Sequence, residues 1–190
     1  MTLDPFFDEF RRRLPDVRVV LLPPDGPDPA PPEAVAPDDA AQRVTDASRL
    51  AGDLLVAGWP ALSGGREHPD VVTYDWAPGD EPGVVLVRAK ARVEGAAAQA
   101  AQDATAELRV VGDRLEADGW SVSVRVGSDG AARVLGVRDG VRVEAVGWGP
   151  AGPWDVVVGV PARVGDRGPA LRATGARTAA WGEPGADVQA

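Results

Sequence analysis

The chain has 190 residues and an apolar fraction of 44 %, which is enough for a folded core and too high for a chain that is disordered throughout. Its formal net charge of -9 opposes phosphate backbones and anionic membranes, so we expect neither a nucleic-acid partner nor a membrane partner. Because the sequence has no cysteine, disulfides, thiolate nucleophiles and cysteine-ligated metals are excluded.

The first 22 residues predict a short N-terminal helix followed by a strand. Asp4 can cap a helix whose first position is Pro5, and phenylalanines recur at helical spacing over residues 4–14. Residues 16–22 are typical of a strand, and residues 23–37 hold too many prolines for regular structure and predict a linker. The start carries acidic residues where a signal peptide needs basic ones, so we expect a cytoplasmic protein.

A first long helix is predicted from Asp38 or Asp39, either of which can cap it, to a left-handed terminator at Gly58. Apolar residues recur every three or four positions along it, as on the buried side of a helix. This stripe consists of Ala40, Val44, Ala47, Ala51, Leu54 and Leu55.

A second long helix is indicated by alternating steps of four and three between apolar positions. The stripe consists of Ala97, Ala101, Ala104, Leu108, Val111 and Leu115, and Gly119 is expected to end the helix. Between the two helices, residues 71–76 and 84–93 predict an antiparallel pair of strands joined by a turn.

After the second helix, apolar and polar residues alternate over four stretches, which is typical of half-buried strands. Asp129-Gly130 and Asp139-Gly140 are typical of two-residue hairpin turns, and a proline turn precedes the fourth stretch at Trp154. Beyond Val164 the pattern is lost, so residues 165–190 predict a disordered tail.

These elements predict an α+β fold with its core domain over residues 38–164. The expected order is helix, two strands, helix and a four-stranded meander. Each set of strands has one consistently apolar side, so the two long helices should pack on one face of a largely antiparallel sheet. Whether the N-terminal strand joins that sheet stays open.

The two long helices share a pattern, since each is followed by glycine and then tryptophan. Gly58-Trp59 and Gly119-Trp120 are the two junctions. An apolar residue just after a helix-ending glycine usually packs back on the final turn. We therefore expect both tryptophans to be structural.

The search for catalytic residues gives mostly negative results. His68 is the only histidine, and a solitary histidine in a loop is usually solvated. Gly147-Trp148-Gly149-Pro150-Ala151-Gly152 matches G-x-G-x-x-G, but it leads into a predicted strand and not into the helix that a dinucleotide site requires. We predict no catalytic residue and no cofactor.

Two groups of acidic residues have the chemistry of cation ligands. Neither has the fixed spacing of a calcium loop, so solvated charge is the favoured interpretation and no metal site is predicted. The groups are Asp25, Asp28, Glu33, Asp38 and Asp39, and then Asp75, Asp80 and Glu81.

The strand over residues 84–93 carries the candidate partner-binding residues. If its valines and alanines face the helices, then Arg88, Lys90 and Arg92 form a row of cations on the outer face of the sheet. Trp148 falls on the same outer phase, and tryptophan and arginine are favoured in interface hot spots. The alternatives are a solvated face or a face covered by the chain's own termini.

Three segments between Leu108 and Val160 carry a family resemblance. They read GDRLEADGWSVSVRV, DGVRVEAVGWGP and WDVVVGVPARV in this order. Here the chain resembles small uncharacterised α+β proteins of actinobacteria, some of them lipoproteins. The resemblance implies an α+β fold and brings no known activity. Membrane anchoring is not carried over, because the sequence has no lipobox cysteine.

The function expected from the sequence is that of a non-enzymatic cytoplasmic protein that binds another protein, as immunity proteins and secretion chaperones do. The acidic charge and the missing catalytic constellation favour it, since complementary fields speed encounter with a basic partner. The alternative is a small-ligand-binding or enzyme domain. Its pocket would lie between helices and sheet near Tyr74, with His68 or Asp75 beside it. A third possibility is an accessory module that makes contacts through its Pro-rich arm and tail.

Overall fold

A computed structural model describes residues 31–93, 104–127, 131–148, 152–172 and 174–183. Several predictions from the sequence lie outside these residues. They are the helix over 4–14, the strand over 16–22, most of the linker, the turn at Asp129-Gly130, and Ala97 and Ala101 of the second helix.

The described residues form three α-helices, one 3-10 turn and seven strands. In chain order they are α1 (Pro37–Leu62), β1 (Val71–Pro78), β2 (Val84–Val93), α2 (Ala104–Ala117), β3 (Ser121–Val126), β4 (Ala132–Arg138), β5 (Val141–Gly147), β6 (Trp154–Arg163), the 3-10 turn (Gly165–Arg167), α3 (Gly168–Arg172) and β7 (Arg177–Ala180).

All seven strands belong to one antiparallel sheet, so the predicted α+β class is confirmed. The order across the sheet is β3-β4-β5-β6-β2-β1-β7. The hairpin β1–β2 and the meander β3–β6 are joined by a long pairing of β2 with β6, in which Val93 lies opposite Trp154 and Val84 opposite Arg163. This pairing makes the two strand sets one continuous surface.

Both long helices cover the same face of this sheet. The helix α1 packs on β2 and β6, and α2 packs on β3 and β4. The core between them is built from the predicted apolar phases, with Val87, Ala89, Val156 and Val158 fully buried. Because successive residues of a strand point to opposite faces, the other residues of these strands form the outer face.

The helix α1 passes through Gly58, so the predicted terminator there is wrong. Gly58 keeps helical geometry, and the first glycines of left-handed conformation after it are Gly64 and Gly65. The helix continues to Leu62 because Trp59 and Leu62 extend its buried stripe at helical spacing.

The start of α1 also differs from the prediction. The capping position is Ala36, which makes no side-chain hydrogen bond, and Pro37 takes the first helical position that suits proline. Asp38 and Asp39 lie inside the first turn, where their negative charges still interact favourably with the positive end of the helix dipole.

The end of α2 agrees with the prediction. Gly119 has a φ of 83°, and the amides of Gly119 and Trp120 donate to the carbonyls of Glu116 and Leu115. Leu108, Val111 and Leu115 are buried as expected. Trp120 packs against the core beside the last turn.

Residues 165–172 and 177–180, beyond Val164, form regular structure where the sequence predicted a disordered tail. Strand β7 pairs with β1 over four residues, and the Trp181 amide donates to the carbonyl of Asp70. The segment is held because Leu171 is buried and Trp181 packs against the core. The sequence signal was weak, since the described part of this segment holds two large apolar residues, Leu171 and Trp181.

The turn between β4 and β5 is a hairpin of the predicted kind. Asp139 has a φ of 51° and Gly140 a φ of 79°, as its two central residues require. The segment after Gly147 also returns as an antiparallel strand, β6, so the glycine motif there does not open a helix.

No helix among the described residues is both long and apolar enough to cross a membrane.

Candidate binding face on the outer side of the sheet

The outer face of the sheet forms a cleft of about 750 Å³. Residues from each of the strands β1 to β6 line it. Six basic side chains lie along this outer face, and they are Arg88, Lys90, Arg92, Arg125, Arg133 and Arg142. The lining also holds Trp148 and two acids, Glu144 and Asp155. We call this surface the outer cleft.

Two cations of the predicted row share one carboxylate on the neighbouring strand. Asp75 of β1 lies opposite Arg88 of β2 in the antiparallel register. The Arg88 Nε and Nη2 atoms donate to the two Asp75 oxygens at 2.6 and 2.9 Å, and the Lys90 Nζ lies 2.5 Å from Asp75 Oδ2. Two positive charges therefore meet one negative charge.

The pKa of Asp75 reports this environment. Partial burial would raise the pKa of the carboxyl, but the hydrogen bonds from Arg88 and Lys90 outweigh it and hold the pKa below its usual range. Asp75 is thus an anion at neutral pH, and it aligns both cations along the wall of the outer cleft.

The third cation of the row belongs to a triad with Trp148. Arg92 lies opposite Asp155 of β6 and donates to it from Nε at 2.7 Å and from Nη2 at 2.9 Å. The indole Nε1 of Trp148 donates to the same carboxylate at 2.9 Å. Trp148 is 43 % exposed, so its ring offers an apolar surface whose orientation is fixed by Asp155.

Apolar side chains form the floor of the outer cleft. Leu86 and Val146 are buried although they lie on the outer phase of their strands. Leu86 lies across Gly159 of β6, where a Cβ atom would come within 2.9 Å of its Cδ2. The surface thus combines an apolar floor with a cationic wall.

The structure brings all four predicted residues, Arg88, Lys90, Arg92 and Trp148, to this one cleft. Sequence reasoning missed the counterions Asp75 and Asp155 as partners of the row, as well as the remaining arginines. The first omission was avoidable, since a hairpin closed over residues 79–83 places Asp75 opposite Arg88. The second was not, because the pairing of β2 with β6 joins strands far apart in the sequence.

The acidic residues of the second group considered as a cation site each have a basic partner. Asp75 pairs as above, Asp80 with Arg142, and Glu81 with Arg163. No group of three or more potential metal ligands converges among the described residues. Asp25 and Asp28 lie outside them.

His68 lies in an aromatic cluster on the surface. Its ring stacks on Trp181 with centroids 5.0 Å apart, and its Nδ1 is 3.1 Å from the carbonyl oxygen of Pro69. Trp181 in turn meets Trp59 edge to face at 5.1 Å, and the Trp59 indole donates to the carbonyl of Arg66 at 2.9 Å. The contacts of His68 are those of a packing residue at the end of α1.

Arg66 anchors the same region to the core. Its guanidinium lies 4.0 Å from the centroid of Trp154 and pairs with Glu107 of α2 at 2.8 Å. Tyr74 is buried against Gly52 of α1, and burial, with the nearby Asp53 carboxylate as a second cause, raises its pKa. Tyr74 and Trp154 lie in the region between helices and sheet where the alternative function needs a pocket.

Comparison with models of known protein families, with curated proteins and with solved structures found no match to this chain. The resemblance to actinobacterial α+β proteins therefore stays a prediction.

Proposed function

We propose that this protein is a non-enzymatic, cytoplasmic protein-binding protein of the immunity-protein or secretion-chaperone kind, and that its outer cleft receives an acidic, partly apolar segment of a partner protein. The single observation that carries the proposal is the outer cleft, where six basic side chains and Trp148 surround an apolar floor.

The charge of the outer cleft favours carboxylates at contact. Its lining is rich in arginine, although the whole chain has a net charge of -9. Arginine binds carboxylates through two parallel hydrogen bonds, as Arg88 and Arg92 do within the protein. A partner carboxylate can join these pairs because Asp75 is already shared by two cations.

At long range, the net negative charge of the whole chain favours a basic partner. A protein of net charge -9 attracts a basic partner before contact and repels nucleic acid. A basic protein that presents an acidic segment satisfies both conditions. This combination is the partner chemistry to which the proposal commits.

A peptide titration tests the proposal. The probe is a fluorescently labelled synthetic peptide that alternates glutamate and leucine, and the readout is its anisotropy on addition of the full chain. We expect saturable binding that weakens as salt is raised, because part of the affinity comes from exposed charges. A peptide that alternates lysine and leucine and a single-stranded oligothymidylate serve as competitors of other chemistry.

Variants locate the binding site. Arg92→Gln and Trp148→Ala should each lower the affinity about tenfold, since truncation of an interface anchor typically costs more than ~1 kcal/mol. Arg49→Gln is the matched control, because Arg49 is an exposed helical arginine of α1, on the other side of the sheet, with an ion pair to Asp46. Equal effects of all three variants, or tighter binding of the lysine peptide or the oligonucleotide, would overturn the proposal.

A further inference from the structure

Strand β3 is the longer of the two edges of the sheet. Among the described strands it pairs with β4 alone, while the opposite edge is formed by β7, which has only four residues. The six residues of β3 read Ser-Val-Ser-Val-Arg-Val and include neither proline nor glycine. An edge strand of this length offers a row of backbone donors and acceptors to a further strand.

The two faces of β3 differ in chemistry. Val122 and Val124 lie on the helix side, next to Gly112 of α2. Val124 is nevertheless 41 % exposed and Val126 57 % exposed. Ser123 and Arg125 point to the other side and line the outer cleft. The edge thus presents apolar side chains on one face and polar side chains on the other.

We propose that β3 pairs antiparallel with β3 of a second copy of this chain, about a two-fold axis at Val124, so that two sheets become one. The sequence of β3 is complementary to itself in this register. Val124 then faces Val124 of the second copy, Val122 faces Val126, and Ser123 faces Arg125. Cross-strand valine pairs stabilise a sheet, and Ser–Arg pairs avoid like charges.

Neighbouring registers are less favourable. A shift by one residue would place valines opposite polar side chains on the wrong face. A shift by two in one direction sets Arg125 directly opposite Arg125 of the second copy, and a shift by two in the other direction leaves Val126 beyond the end of the paired strand. Of these registers, the one centred on Val124 alone pairs all three valines of β3, over residues 122–126, and it has no charge conflict.

Self-association through β3 brings the outer clefts of two copies onto the same face of a continuous sheet. A partner with two acidic segments would then bind both, with an avidity that one cleft does not provide. The pairing itself does not depend on the proposed function, since it uses the edge of the sheet and the valines of its helix side.

Sedimentation velocity of the full chain over a range of concentrations tests the proposal. We expect a monomer–dimer equilibrium for the natural sequence. Val124→Lys places two ammonium groups opposite each other and should weaken the dimer at least about tenfold. Leu50→Lys is the matched control because Leu50 is 45 % exposed and belongs to α1, which packs on β2 and β6. Thermal melts of each variant check that it folds.

Cysteine scanning gives a second test that requires no loss of function. The chain has no cysteine, so each variant carries a single thiol. Val124→Cys should form a disulfide-linked dimer on mild oxidation, because the two Cβ atoms face each other across the axis, whereas Val126→Cys and Leu50→Cys should not. A monomer at every concentration, a dimer unaffected by Val124→Lys, or equal crosslinking at all three positions would overturn the proposal. None of these results bears on peptide binding by the outer cleft.

Discussion

Asp75 is the residue on which the charge of the outer cleft depends most directly. It lies opposite Arg88 in the register of β1 and β2 and also accepts from Lys90. Exposed ion pairs contribute little to stability, but this carboxylate is only 21 % exposed and has two partners. We expect Asp75 to contribute to binding by orientation, because it holds the long, flexible side chains of Arg88 and Lys90 in place.

The lowered pKa of Asp75 predicts a contribution to acid lability. A group whose pKa is lower in the folded state stabilises the fold above its unfolded pKa of about 3.9, and this contribution is lost as the pH falls through the folded pKa. In Asp75→Asn the contribution is absent at every pH. The variant should therefore be less stable than the natural protein near neutral pH, by roughly 1 kcal/mol, and the difference should shrink below about pH 4.

Urea denaturation at several pH values between about 3 and 7 measures this effect. Asp46→Asn is the control, since Asp46 is an exposed partner of Arg49 on the surface of α1. A stability difference for Asp75→Asn that does not change with pH would contradict the prediction.

At the scale of elements, the two helix-Gly-Trp junctions turn out to be different structures. Gly119 is left-handed and ends the capping turn of α2, whereas Gly58 is an ordinary helical residue within α1. Trp59 belongs to the last turns of α1 and is buried, and Trp120 follows α2 and carries Arg138 over its ring. The shared sequence pattern does not reflect a repeated structural unit.

Alanine substitutions distinguish the two junctions. Gly119→Ala should destabilise the fold by about 1 kcal/mol, because a Cβ atom disfavours the left-handed region although open space surrounds it. Gly58→Ala should be neutral or stabilising by up to about 1 kcal/mol, since alanine is the better helix former and the nearest atom, Leu62 Cδ1, ends a flexible side chain. Thermal or urea denaturation of both variants measures the difference, and equal losses would show that Gly58 also ends a helix.

At the scale of the whole molecule, the C-terminal segment packs against the edge of the sheet at β1 and against the end of α1. Strand β7 adds to β1, the Thr174 hydroxyl accepts from the Trp76 indole at 3.0 Å, and Trp181 covers Trp59. Residues 174–183 therefore belong to the same compact unit as the helices and the sheet.

Tryptophan substitutions test the role of this segment. Trp181→Ala should lower the free energy of unfolding by about 2 kcal/mol, because a partly buried aromatic contact with Trp59 and His68 is lost. Trp148→Ala should cost less than about 1 kcal/mol, since this ring is exposed and loses one hydrogen bond to Asp155. Chemical denaturation of the two variants compares them, and the opposite order would contradict a structural role for the C-terminal segment. The same comparison shows whether Trp148→Ala remains folded for the binding test.

Local signals in the sequence determined most of the elements. The alternation of Val87, Ala89 and Ala91 with Arg88, Lys90 and Arg92 was sufficient to assign the two faces of β2, because a strand has a period of two. The hairpin at Asp139-Gly140 and the terminator at Gly119 followed from backbone conformations that glycine adopts readily. By itself, then, the sequence determined the α+β class, the two helices on one face and the cationic row on the other.

Only the tertiary structure decided what these elements form together. The pairing of β2 with β6 joined the hairpin to the meander, brought Arg92 to Asp155 and Trp148, and made one cleft from residues of six strands. Other tertiary contacts place β7 on the open edge of β1 and extend α1 past Gly58. These features depend on contacts between residues that are distant in the chain. The stabilising free energy comes from apolar surface buried between those residues, and a local sequence pattern does not show which segments will meet.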